Sequence, residues 1–138
     1  MRVVIDTNVL LVILPDYSPF AIVYEAFKAK KLTLLLTSEI ILEYEEQLKL
    51  RYGGTSVDEE LNGIIQNDNI ELITPEFFWN LITADPDDNK FVDCAIAANA
   101  DYIITNDAHF NVLKNITFPK VNILTLQAFI TLLTTLDF

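Results

Sequence analysis

Five short, nearly uninterrupted apolar runs, each separated from the next by a helical stretch, constrain this chain more than any other feature. The runs fall at residues 3–5, 32–36, 70–73, 102–105 and 121–124. A strand with one wet face alternates apolar and polar residues, whereas a continuous run is what a strand covered on both faces looks like. Between the runs, helical patterning is expected over residues 20–29, 38–51, 57–66, 88–99 and 126–136. Strands alternating with helices imply right-handed crossovers and a mainly parallel sheet. The expected fold is therefore α/β: a three-layer α/β/α sandwich with four or five strands, in one domain over residues 1–138. The order of the strands is not contained in this pattern.

A hydrophobic fraction of 51% can fill a core in a chain of 138 residues, which fits a single domain. No apolar run reaches the roughly 20 residues a membrane span needs. Residues 9–14 stop at Pro15, and the uncharged stretch 121–136 is broken by Asn122, Thr125 and Gln127. The chain opens directly on a strand-like run, so no signal peptide is expected. Cys94 is the only cysteine and His109 the only histidine. An internal disulfide is thus excluded and a Cys/His zinc site nearly so, which suits a cytoplasmic protein. Of the three glycines, Gly53 and Gly54 are expected to end a helix and begin a turn. No phosphate-binding glycine fingerprint is present.

The net charge of −11 argues against gripping nucleic acid through a broad basic surface. It is compatible with clustered acids relieved by bound cations. Ligands of open parallel sheets bind at the carboxyl ends of the strands, and two acids stand there: Asp6 after the first run and Asp107 after the fourth. Glu43 lies a little over one turn into the helix that Ser38 is expected to cap. Asp93 and Asn89, four residues apart, share the side of their helix opposite the apolar arc of Phe91, Val92, Cys94, Ala95, Ile96 and Ala98.

Each acid also has an ordinary explanation. Asp6 and Asp107 could cap the elements that follow them, and Glu43 could belong to a solvated face with Glu45 and Glu46. Asp93 could be a surface residue. Asp85, Asp87 and Asp88 surround Pro86 at a helix start, where acids favour the helix dipole. His109 is expected to pack near a turn. Phe77, Phe78 and Trp79 are expected to pack as an apolar segment, with an exposed stacking platform for bases as the alternative.

In their order along the chain, these motifs resemble the PIN domain, in particular the small prokaryotic toxin-like proteins of the VapC type, also described as PilT N-terminal-like. The matching stretches are Val3-Val4-Ile5-Asp6-Thr7-Asn8-Val9-Leu10 and Thr37-Ser38-Glu39-Ile40-Ile41-Leu42-Glu43-Tyr44. Further on come Asp85-Pro86-Asp87-Asp88-Asn89-Lys90-Phe91-Val92-Asp93-Cys94-Ala95 and Ala100-Asp101-Tyr102-Ile103-Ile104-Thr105-Asn106-Asp107. The resemblance implies a metal-dependent endoribonuclease that hydrolyses RNA phosphodiester bonds. Its acids Asp6, Glu43, Asp93 and Asp107 would hold Mg²⁺ or Mn²⁺, oxygen-preferring ions that keep several waters. Asn8 and Thr105 would be supporting polar groups, and Asp88 a further acid at the rim. Ala108 departs from the pattern, where similar proteins often carry a charged residue.

The same resemblance implies a toxin held in check by an antitoxin, and a homodimer. Leu10, Leu14, Ile22 and Phe27 look like more apolar surface than one small domain buries. Two rival readings stand beside it. A phosphatase of the haloacid-dehalogenase type would use Asp6 as a covalent nucleophile, but wants a second acid where Asn8 stands. A catalytically silent PIN-like binding or scaffold protein would suit the acidic surface.

Overall fold

A computed structural model describes residues 1–53 and 56–136. Its five strands are β1 (Arg2–Ile5), β2 (Thr33–Leu36), β3 (Ile70–Leu72), β4 (Tyr102–Ile104) and β5 (Ile123–Leu124). They form one sheet in the order β3-β2-β1-β4-β5, and every neighbouring pair is parallel. The helices are α1 (Thr7–Ile13), α2 (Ala21–Lys28), α3 (Ser38–Tyr52), α4 (Ser56–Ile65), α5 (Asn89–Ala98) and α6 (Leu126–Thr135). Short 3-10 segments occupy Pro86–Asp88 and Ala108–Asn115. The expected parallel sandwich is what forms, with the five strands and five of the helices within one or two residues of the bounds read in the sequence; α1 was not among the helices read there.

The strand order supplies what the sequence could not. From β1 the chain winds outward through β2 and β3, then returns to the other side of β1 with β4 and β5. The order reverses between β1 and β4, and such a reversal opens a crevice at the carboxyl ends of the two strands. Ile5 pairs with Ile104, so the residues that follow each strand emerge side by side. Val3, Val4, Ile103 and Ile104 are completely buried, which explains the continuous apolar runs.

Local chemistry sets the helix ends. Thr37, not Ser38, is the N-cap of α3. Its extended backbone lets Oγ1 accept the Ile40 amide at 3.1 Å, while Ser38 is already helical. Gly53 ends α3 at φ 63°, a left-handed conformation that glycine adopts without a Cβ clash. Gly54 lies outside the described residues. Tyr44 is buried, and its hydroxyl donates to the Ile5 carbonyl, pinning α3 to the last residue of β1.

Residues 73–85, between β3 and the first 3-10 segment, carry no regular structure. Buried backbone groups need partners, and α5 provides them. Asn89 accepts the Ile82 amide through Oδ1 at 2.9 Å and donates from Nδ2 to the Ile82 carbonyl at 2.8 Å. Asp93 Oδ1 accepts the Trp79 amide at 3.0 Å. The expected packing of the aromatic triplet holds only in part: Trp79 is partly buried, but Phe77 and Phe78 are 70% and 71% exposed.

The apolar excess read as a dimer surface is mostly internal. Leu10, Leu14 and Phe27 lie in the chain's own core, and only Ile22 of the four is exposed. Among the described residues no helix is long and apolar enough to cross a membrane.

Candidate functional site

The crevice between β1 and β4 gathers carboxylates. Asp6 is 6% exposed and stands at the N-terminus of α1. Its carbonyl accepts the Val9 and Leu10 amides, while its side chain makes no helix-capping bond beyond the turn. The capping explanation for its carboxylate therefore fails. Oδ2 instead accepts from Thr105 Oγ1 at 2.8 Å, and the same hydroxyl oxygen accepts the Asp107 amide at 3.0 Å. Thr105, buried just after β4, thus links the Asp6 carboxylate to the Asp107 backbone. Asp107 also caps the following 3-10 segment, its Oδ1 accepting the His109 amide at 2.9 Å.

Glu43 is no freely solvated surface acid. Thr7 Oγ1 donates to its Oε2, and Lys90 Nζ lies 2.6 Å from its Oε1. Neither Thr7 nor Lys90 was singled out in the sequence, although both sit inside the motifs, directly after Asp6 and two residues after Asp88. Asn8 is exposed on α1.

Asp88 is 9% exposed, and its Oδ2 is buried with no hydrogen-bond partner. His109 Nδ1 lies 3.7 Å from that oxygen and 3.4 Å from Asp107 Oδ1. His109 lies in the 3-10 segment, near a turn as expected, and from there its ring faces the acids. Asp85 completes the rim and caps the first 3-10 segment, its Oδ1 accepting the Asp87 amide at 3.2 Å. Ligand atoms of Asp85, Asp88 and His109 lie within 4.8 Å of one another.

Electrostatics marks the same group. Burial lifts the Asp6 carboxyl above its usual range; Thr105 and the Thr7 amide pull it down, and Asp107 and Glu43 push it up again. Asp88 is raised to about 6, first by burial and then by Asp85, Asp107 and Asp6, with His109 opposing. Burial would lower the Lys90 ammonium, but its bond to Glu43 leaves it raised overall.

Asp93 stands apart from this group. Burial raises its carboxyl, the Trp79 amide stabilises the ionised form, and the charge that acts on it is Glu39. It lines a neighbouring cleft with Thr37, Glu39, Phe78, Asn89 and Lys90. The structure therefore brings Asp6, Glu43, Asp107 and Asp88 together, and gives Asp93 a structural partner instead.

Fold and site define a parallel α/β protein with an acidic centre at the carboxyl edge of its sheet. The family model described as PIN domain matches residues 2–109, and the chain belongs to this family, whose members are nucleases. Three solved structures share the fold. One is VapBC2 from Rickettsia felis bound to a DNA fragment from their promoter, at 17% identity, 91% coverage of this chain, 98% of that chain and TM-score 0.63. A second is FitAB bound to an IR36 DNA fragment, at 14% identity, 90% and 94% coverage and TM-score 0.57. The third is the PIN domain of T. brucei RRP44, at 12% identity, 99% and 82% coverage and TM-score 0.52. At these identities the likeness is one of fold. No curated protein matches the sequence.

Proposed function

We propose that the chain is a metal-dependent endoribonuclease whose centre is formed by Asp6, Glu43, Asp88 and Asp107. Three of these acids are those the family resemblance implied; Asp88 takes the place of Asp93. The observation that carries the reading is the buried, unpartnered Oδ2 of Asp88 among carboxylates whose like charges raise it. A buried anion without a hydrogen bond among other carboxylates is costly, and a divalent cation would relieve it.

The donor set fits such an ion. Asp6, Asp88 and Asp107 offer hard oxygen atoms, and Glu43 can join them if Lys90 yields an oxygen. When bound, Mg²⁺ or Mn²⁺ would activate water and offset charge on the scissile phosphate. The protein's own part is positional. Thr105 fixes Asp6 relative to Asp107, Thr7 orients Glu43, and Tyr44 holds α3 against β1. Lys90, adjoining both the acids and the neighbouring cleft, can meet a phosphate oxygen. Phe78 lines that cleft and is exposed, which suits stacking of an unpaired base.

In the cell, the chain fits the toxin of a toxin–antitoxin pair. The resemblance to toxin-like PIN proteins supports this, as does fold likeness to VapBC2 and FitAB, both solved bound to DNA. Its partners are then an RNA substrate, an antitoxin protein and a second copy of the chain, in the cytoplasm.

The test is cleavage of labelled single-stranded RNA by purified protein. EDTA should abolish it and Mn²⁺ restore it, while induced expression should arrest growth. Metal-independent turnover would overturn the metal dependence, and no turnover with any divalent ion would overturn the nuclease reading itself.

A further inference from the structure

The four acids do not account for Asp85 or His109. The His109 imidazole is the only nitrogen ligand of its kind in the chain, and it points into the acidic centre rather than away from it. Two ligands each about 2.1 Å from one ion sit roughly 3–4 Å apart. The Asp88–His109 separation of 3.7 Å falls in that range, and Asp85 reaches the same spot. Asp88 Oδ2, the buried oxygen without a hydrogen bond that carries the reading above, borders this spot as well and faces His109 across it. One oxygen of Asp85 is committed to the Asp87 amide, which leaves the other free.

We propose that Asp85, Asp88 and His109 form a cation position with one imidazole nitrogen and two carboxylates, selective for a first-row transition ion such as Mn²⁺ over Mg²⁺. Imidazole binds Mg²⁺ poorly, because that ion prefers oxygen and water, whereas affinity for nitrogen rises along the first transition row. The position is distinct from that of Asp6 and Asp107 but contiguous with it, since His109 Nδ1 also lies 3.4 Å from Asp107 Oδ1. The inference rests on the metal-dependent reading above.

Pulsed electron paramagnetic resonance of the full chain with Mn²⁺ tests it without reference to turnover. The expected signal is ¹⁴N modulation from one directly bound imidazole, changed to the ¹⁵N pattern when histidine is ¹⁵N-labelled. His109→Ala should abolish the modulation and weaken Mn²⁺ binding roughly tenfold by calorimetry, with Mg²⁺ binding little changed. His109 is half-exposed, and circular dichroism checks that the variant is folded. Mn²⁺ that binds with no nitrogen coupling would overturn this inference and leave the nuclease reading intact. Failure to bind Mn²⁺ at all would overturn both.

Discussion

Asp88 and Asp93 stand five residues apart at the start and middle of one helical segment, and the fold treats them oppositely. Asp93 receives a backbone amide from Trp79 and feels a single charged neighbour, Glu39. Asp88 receives no hydrogen bond on its buried oxygen and faces Asp85, Asp107 and Asp6, with only the half-exposed His109 opposing them. A carboxylate that a fold needs for its own architecture is given donors, because a buried charge without them is unstable. One left without donors among its own kind is poised for a ligand from outside. The carboxyl edge of the sheet therefore stores electrostatic strain, while the underside of α5 spends its polar groups on holding residues 73–85 in place.

The sharpest way to break this contrast is to remove charge at the edge. Asp6→Asn keeps shape and can still accept from Thr105 Oγ1. Ribonuclease activity should fall by about 100-fold or more, beyond the 10–100-fold typical of groups that merely support a metal ligand. The melting temperature in EDTA should stay level or rise, since one of several repelling charges is gone. A variant that cleaved RNA at the parental rate would move the site elsewhere.

The two aspartates can then be set directly against each other. Asp88→Asn should lose activity by a similar factor. Asp93→Asn retains an oxygen for the Trp79 amide, so its activity should stay within about threefold of the parent. Asp93→Leu, which orphans that amide, should cost roughly 1–3 kcal/mol in denaturant unfolding. The reverse order of activities would restore Asp93 to the centre and return Asp88 to the rim.

Much of this was written in the sequence, and the limits have physical causes. The parallel sandwich was legible because runs such as residues 3–5 are apolar throughout, as doubly covered strands are. That Asp6 and Asp107 share one edge of the sheet was legible because Asp6 directly follows β1 and Asp107 stands three residues beyond β4. The distinction between Asp88 and Asp93 was not. A helical wheel reports which residues avoid the apolar arc, but not what covers the other side. Here an irregular segment covers it, with a backbone whose needs are invisible in side-chain patterning. Thr7 and Lys90 were overlooked for a related reason. Their part depends on α3 lying against β1 and α5, a juxtaposition fixed by strand order. His109 was read correctly as lying at a turn, but one histidine there has no periodicity to show that its ring would lie beside Asp88 and Asp107.

The finest test of the contrast is its pH dependence. In the folded chain Asp88 titrates at about 6, against an ordinary value of 3.8. The folded state therefore binds this proton more tightly than the unfolded chain does. Between pH 3.8 and 6 the native state holds more protons, so stability from this group falls as pH rises through that window. It is fully present below about pH 3.8 and gone above about 6, where the ionised carboxylate costs on the order of 1–3 kcal/mol. Asp6 and Asp93 are shifted in the same direction, whereas Asp68 and Glu71 are lowered by their pairing with Lys30 and Arg2 and act oppositely. The parent's profile alone is thus a mixture, and the difference between parent and Asp88→Asn isolates the one group. In EDTA the variant should melt several degrees higher than the parent at pH 7.5, and the gap should close near pH 4. Saturating Mn²⁺ at pH 7.5 should reverse the order, because only the parent gains full binding stabilisation. A gap of equal size at both pH values would mean that Asp88 is not strained by its neighbours.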